Sequence, residues 1–406
     1  MARYHLAGFT AQIVSCKQHF DHSFTLTKNV EMKLLFVLAT FCISHVLSAQ
    51  MRCSDIGITI GVMQKGKWNA ITDVAGVKVG HTTLIKGDSV RTGVTAILPH
   101  DANLFQQKVP AAIYVGNGFG KLAGSTQVIE LGNLETPIIL TNTLAVSTAM
   151  QAVVEYTLQQ KGNEQAQSVN ALVGETNDGY LNDIRGMHVT KEDVWQSINT
   201  AQTGPVKEGV VGAGTGTVCF GWKGGIGTAS RVLPQNLGGY TVGVLVQTNF
   251  GGALQVAGVP VGKALNKYYL SDHLNHTPDG SCMMVVATDA PLDARNLERL
   301  AKRAFMGLAK TGGIASNGSG DYVIAFSTYT GSRVAHQPNA MVLQQQVLHN
   351  EAVSPLFMAA IEATEEAILN SLLMATTTKG KQGRVAEALP LDKVKLLLQD
   401  HGVIKK

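Results

Sequence analysis

The stretch Thr277–Asp289 reads Thr-Pro-Asp-Gly-Ser-Cys-Met-Met-Val-Val-Ala-Thr-Asp, and its chemistry lies at Gly280 and Ser281. On one reading, Asp279-Gly280 is a tight turn and Ser281 starts a buried strand. On the other, Gly280-Ser281 is a self-processing bond. Glycine tolerates a strained backbone and leaves its carbonyl open to the hydroxyl of the next residue. Attack by that hydroxyl gives an ester, and hydrolysis leaves Ser281 as a new amino terminus. A free α-amine titrates near pH ~8, so it can serve as base for its own hydroxyl.

Other groups could complete such a site. Ala171-Leu172-Val173-Gly174 reads as a strand delivering Glu175, Asn177 and Asp178 to its end. Thr241–Gly251 reads as a strand that ends on Asn249, and Asn317–Asp321 is a polar loop bearing Ser319 and Asp321. Each has a plain alternative: Asn249 a turn residue, Ser319 and Asp321 loop caps, Glu175 a surface acid. His273 and His276 have His-x-x-His spacing but no third ligand, so a solvated loop suited to cleavage is expected and no metal. Gly212-Ala213-Gly214-Thr215-Gly216 is not a dinucleotide fingerprint, because position 217 is Thr and no helix pattern follows. Gly262-Lys263 fails as a phosphate loop, with Ala257 and Ala264 at the wrong positions.

These groups need a rigid scaffold. With 45% hydrophobic and only 15% charged residues, the 406-residue chain has a large core, and a single α/β domain is expected. Net charge is +4 without a basic block, which argues against nucleic acid. Gly57–His81 is expected as short strands with glycine turns. Val94–Leu98, Ala111–Val115, Ile138–Leu140 and Tyr322–Ser327 read as buried strands, and Gly116–Leu122 as a glycine-rich loop. Helices are expected over Val146–Gln160, from a capped start at Thr190 to about Thr200, and over Pro291–Lys310, Ala352–Met374 and Leu391–Asp400.

Met32-Lys33, the apolar run Leu34–Leu47 and Ser48-Ala49-Gln50 have the shape of a signal peptide. The expected organisation is therefore a leader over 1–49, made of an upstream extension 1–31 and a signal peptide 32–49, before one domain over 50–406. That points to export, into a periplasm, with no membrane in the mature form. If the stretch is instead a buried helix, the protein is cytoplasmic. Beyond the leader remain Cys53, Cys219 and Cys282, an odd number. Strand alternation puts Cys282 opposite Ser281, as a packing residue.

Several motifs occur in one order: Asp73–Val77, Arg91–Ala96, Glu130–Pro137, Asp279-Gly280-Ser281, Ala287–Leu292 and Ser316–Tyr322. In these the chain resembles the DmpA-type L-aminopeptidase/D-esterase family, which includes the β-peptidyl aminopeptidases, over about residues 55 to 375. The resemblance implies a four-layer α/β/β/α sandwich like that of amino-terminal-nucleophile hydrolases, differently connected. It also implies self-cleavage into 50–280 and 281–406 and a homo-oligomer of cleaved protomers. By motif, Ser281 is then the nucleophile and Asn249 the oxyanion donor. Ser319 and Asp321 orient the nucleophile and relay protons, some relatives carrying Glu at the latter position. Glu175 grips the substrate's free amine, with Asn177 beside it where some relatives are aromatic.

The expected function is a self-processing serine aminopeptidase acting on peptides, amides or esters with a free amino terminus, through an acyl-enzyme on Ser281 and without a cofactor. A fixed amide donor lowers an oxyanion barrier by about 3 kcal/mol. A carboxylate binds a cationic amine by charge-assisted hydrogen bonds. Two other readings stay open: an amidase or acyltransferase on the same scaffold, and an unprocessed exported binding protein.

Overall fold

Apolar side chains alternate along the central run, and this alternation builds the layers. The computed structural model describes residues 50–271, 280–338 and 340–405. The proposed leader, Thr277–Asp279 and the histidine pair at 273 and 276 lie outside them.

The chain lays down β1 (Lys78–Lys86), β2 (Val90–Leu98), β3 (Gln107–Gly118), β4 (Leu122–Ala123), α1 (Ser125–Leu131), β5 (Asn133–Leu134), β6 (Ile138–Asn142), α2 (Val146–Leu158), β7 (Leu172–Thr176) and α3 (Lys191–Asn199). There follow β8 (Val218–Cys219), β9 (Trp222–Lys223), β10 (Ile226–Val232), β11 (Thr241–Asn249), β12 (Ser281–Thr288), α4 (Ala294–Lys310), β13 (Gly320–Ser327), β14 (Val334–Ala335), α5 (Ser354–Leu373) and α6 (Leu391–Asp400).

One sheet runs β10-β11-β12-β13-β3-β14, with β5 on β3, and the other β1-β2-β6-β7-β4. On β12, Met283, Val285 and Ala287 join Leu245, Ile324 and Phe326 of their own sheet and Ile97, Ile138, Leu140 and Leu172 of the other. The alternate residues Cys282, Met284 and Val286 face α4 and α5, through Leu297, Leu300, Ala363 and Ala367. Beyond the second sheet, Val94, Ile139 and Val173 pack on Ala149, Val153, Val194 and Ile198 of α2 and α3. The order is helix, sheet, sheet, helix, and the strands buried on both faces read as nearly continuous apolar runs. This is the expected α/β/β/α sandwich.

Local signals place most elements. Thr190 caps α3 reciprocally with Asp193, and Asp293 caps α4 through the Asn296 N–H at 3.0 Å. Two expectations need correction. Only Lys78–His81 of the stretch 57–81 is strand. Before it, Asp73 turns the chain into a short 3-10 helix by accepting from the Trp68 and Ala70 N–H groups. The glycine-rich loop is also shorter than expected, because β3 runs on to Gly118 against Gly320. Its ladder extends the strand where composition suggests a loop.

Buried charged residues away from the site hold the frame. Glu135 accepts from the Asn170 backbone and side chain at 2.8 and 2.9 Å and pairs with Lys108, tying β3 to the entry of β7. Arg231, fully buried, pairs with Glu362 at 3.0 Å and Glu366 at 2.7 Å on α5. The Cys53, Cys219 and Cys282 thiols are free and buried.

Candidate active site

The ends of both sheets converge at one edge of their shared interface. Ser281 opens β12 directly opposite Asn249, the last residue of β11, and beside Gly320, the first residue of β13. Directly opposed residues of an antiparallel pair hold their side chains about 5 Å apart on the same face. Sequence distance therefore vanishes: 249, 281 and 320 are neighbours.

The Ser281 hydroxyl donates to the Gly280 carbonyl at 2.6 Å. The Gly320 N–H is shared, reaching the Gly280 oxygen at 3.2 Å and the Ser281 Oγ at 3.3 Å. The hydroxyl thus lies against the carbonyl of its own preceding residue, and a backbone donor already points at the oxygen that attack would charge. A Cβ on Gly280 would fall 2.7 Å from the Phe250 Cα and 2.8 Å from the Asn249 oxygen. Only glycine fits there, whatever its turn propensity.

Asn249 is buried, and its Oδ1 accepts from the Val218 N–H at 2.9 Å. That bond settles the flip of the carboxamide and leaves Nδ2 as its donor end beside Ser281. Glu175 lies on β7, in the other sheet. Its Oε1 accepts from the Lys121 N–H at 2.9 Å, and its Oε2 accepts from the Thr143 hydroxyl. A contact between Gly120 and Gly320 joins the two halves. A Cβ on Gly320 would sit 2.5 Å from the Gly120 Cα and 3.3 Å from the Ser281 Oγ; one on Gly120 would sit 3.3 Å from the Glu175 Oε1. Ser281 and Glu175 flank that contact.

Ser319 and Asp321 bracket Gly320 and are buried. Asp321 stands opposite Cys282, one step beyond the partner of Ser281. Burial pushes its carboxyl up to about 6, held back by the Ser319 hydroxyl and the Cys282 N–H. Among the described residues, neither its oxygens nor the Ser319 hydroxyl completes a hydrogen bond of ordinary geometry. In the continuous chain neither bonds the Ser281 hydroxyl, and the register sets Asp321 level with Cys282 rather than with Ser281. Asn177 is exposed, and its Oδ1 accepts from the Gly179 N–H at 2.9 Å, an Asx turn at the end of β7.

Asp321 carries a stability prediction. A carboxyl raised from about 4 to about 6 on folding adds stability while protonated, below pH ~4, and loses it as pH rises through ~6. At neutral pH the ionised group costs about 3 kcal/mol. Asp321→Asn should melt several degrees above the parent at pH 7.5, match it near pH 4, and lose at least about tenfold in turnover. Equal melting curves at pH 7.5 would remove the assigned cause.

Sequence reading missed several partners of these groups. Thr143 and Lys121 hold Glu175, the Tyr322 hydroxyl holds the Gly120 carbonyl at 2.8 Å, and Val218 orients Asn249. Two of these are backbone donors, which no side-chain motif reports. A hollow of about 310 Å³ lined by Tyr156, Gln159, Gln160, Trp195 and Asn199 shares no residue with the site.

A serine opening a central strand of an α/β/β/α sandwich, with glycine before it and an amide opposite, defines an amino-terminal-nucleophile-type hydrolase. The chain belongs to peptidase family S58, whose model matches residues 69–386. It is 39% identical over 396 residues to the β-peptidyl aminopeptidase BapA of Sphingosinicella microcystinivorans, covering 91% of this chain and 98% of that one. Its fold is similar to the PH0078 protein of Pyrococcus horikoshii OT3 (TM-score 0.80, 48% identity, 87% of this chain and 99% of that one). It is equally similar to a Burkholderia sp. β-aminopeptidase (0.80, 40%, with the same coverage). The L-aminopeptidase D-Ala-esterase/amidase of Ochrobactrum anthropi, described as a prototype for the serine aminopeptidases and a new variant of the Ntn hydrolase fold, matches at 0.78 and 35%, again covering 87% and 99%.

Proposed function

We propose that this chain is a self-processing serine aminopeptidase that cuts itself between Gly280 and Ser281 and then uses Ser281 on amino-terminal residues. The observation that carries this is the Ser281 hydroxyl resting 2.6 Å from the Gly280 oxygen, with the Gly320 N–H on both atoms. In self-cleavage the Ser281 Oγ bonds to the Gly280 carbonyl carbon and its proton passes to the departing Ser281 nitrogen. Water then splits the ester, leaving a Gly280 carboxylate and a Ser281 with free amine and hydroxyl.

In turnover that amine takes the hydroxyl proton as Ser281 attacks the substrate carbonyl. Asn249 Nδ2 stabilises the oxyanion, Ser319 and Asp321 relay protons around the amine, and Glu175 binds the substrate's ammonium with Asn177 at the rim. The leaving amine takes the proton, and water frees the acyl residue. Ladder bonds between β11 and β12 and the Arg231 pairs with α5 hold the two pieces together after the cut. In the same reading the leader 1–49 is removed on export and the cut protomers assemble as a homo-oligomer. Amino-terminal sequencing of secreted material and its mass by light scattering test those two points.

The test is a panel of p-nitroanilides with free or acetylated amino termini. Free-amine substrates should be hydrolysed and acetylated ones resisted. Glu175→Gln should lower kcat/KM for free amines by about 10–100-fold, because one charge-assisted contact is lost, and narrow the gap to acetylated substrates. An unchanged ratio would reassign Glu175 to the frame.

A further inference from the structure

Lys223 is fully buried on β9, an unusual place for an ammonium, and the proposed reaction has no use for it. Its Nζ donates to three carbonyls: Gly214 at 2.9 Å, Thr217 at 2.9 Å and Gly224 at 2.7 Å. The Thr217 carbonyl and the Val218 N–H belong to one peptide unit, and that N–H is the group that donates to the Asn249 Oδ1. The third carbonyl anchors the clamp beside Asn249. The Gly224 N–H returns to the Thr217 oxygen at 3.2 Å, and a Cβ on Gly224 would lie 2.6 Å from the Thr248 oxygen.

We propose that Lys223 is a positioning residue that fixes and polarises the Thr217–Val218 peptide, and through it aims the Asn249 Nδ2 at the reaction's oxyanion. This rests on Asn249 being the oxyanion donor.

The chain of bonds runs ammonium to carbonyl, peptide N–H to carboxamide oxygen, carboxamide N–H to substrate. Each donor is strengthened by a partner that draws electrons from its far end, and a cation at the head strengthens all of them in a dry interior. The start of this segment is pinned by the Thr83 and Thr95 hydroxyls, which accept from the Gly212 and Ala213 N–H groups, but among the described side chains the Thr217 carbonyl itself is held by Lys223. A packing role alone would be met by a methionine, which has similar length and no charge to desolvate. Burial lowers the ammonium to about 7 even with the buried Asp178 beside it favouring the charged form, and three carbonyl acceptors are satisfied together only by the three N–H groups of the protonated amine. Asp178 sits against the same segment, since a Cβ on Gly216 would lie 2.9 Å from its Cβ.

The experiment compares Lys223→Met, Asn249→Ala and the double variant. Turnover of a free-amine p-nitroanilide is measured per chain beginning at Ser281, counted by intact mass. In folded, processed Lys223→Met, kcat falls about tenfold or more while KM changes less than about twofold, and in the Asn249→Ala background the same change removes almost nothing further. A kcat within about twofold of the parent overturns the proposal, as does a loss repeated in full without Asn249. Should the methionine variant not fold, Lys223→Gln must show the same selective loss of kcat. If neither neutral variant yields a folded, processed chain, Lys223 is a structural cation and the proposal falls. Full kcat in Asn249→Ala alone would instead defeat the oxyanion reading on which the proposal rests.

Discussion

Ser281→Ala should be recovered as one continuous chain through residues 280 and 281 and should hydrolyse no free-amine substrate. Both effects come from one missing atom. Without Oγ nothing can attack the Gly280 carbonyl, which that atom otherwise approaches as a donor at 2.6 Å, so no ester forms and no new amino terminus appears. Without that terminus the base is absent as well. Removing a nucleophile from such a concerted unit lowers turnover by about 10⁶-fold, beyond most assays. The β12 ladder and the core beneath it do not depend on the hydroxyl, so the variant should melt cooperatively. Intact mass and p-nitroanilide turnover read the result, and a fragment beginning at residue 281 or undiminished activity would end the mechanism.

Asn249→Ala should lose about 10²–10³-fold in kcat, or about 3–4 kcal/mol of barrier lowering, with KM nearly unchanged. In the proposed mechanism the donor acts on charge that exists only after attack, so substrate binding does not report on it. Its preorganisation is visible in the continuous chain: Oδ1 is held by the Val218 N–H at 2.9 Å, and the cross-strand register puts the side chain opposite Ser281. The alanine also leaves that N–H unpaired, which costs about 1–3 kcal/mol of stability. Kinetics must therefore be scaled to folded, processed chain. A tenfold rise in KM with kcat intact would move Asn249 from oxyanion donor to substrate contact.

Much of this was legible beforehand because it is local. Leu391–Asp400 is placed to the residue and Thr190 marks the start of α3, whereas the helix expected from Pro291 begins at Ala294, because Asp293 caps it. Alternation along β12 separates Ser281 from Cys282 as a packing residue, and the structure buries the thiol against the helix layer. Gly57–His81 departs from its composition because the Asp73 side chain, rather than a ladder, takes up the Trp68 and Ala70 backbone donors. Asn177 is recognisable as a strand-end polar group, yet its side chain bonds the Gly179 N–H of its own turn, which composition does not reveal.

The order of residues by itself determined which atoms can react: a hydroxyl following a glycine, an amide at a strand end, carboxylates at two others. It also determined the layers, since burial of alternate side chains on both faces of a strand is written into the apolar pattern. Tertiary structure alone decided the distances and the charges. Register places Asn249 and Gly320 beside Ser281 across 32 and 39 residues of chain. A Gly120–Gly320 contact sets Glu175 across from Ser281, and burial lifts Asp321 to about 6 and hides Lys223 under the peptide whose N–H bonds Asn249. Backbone donors and desolvation depend on what packs around a group. Neither has a letter in the sequence.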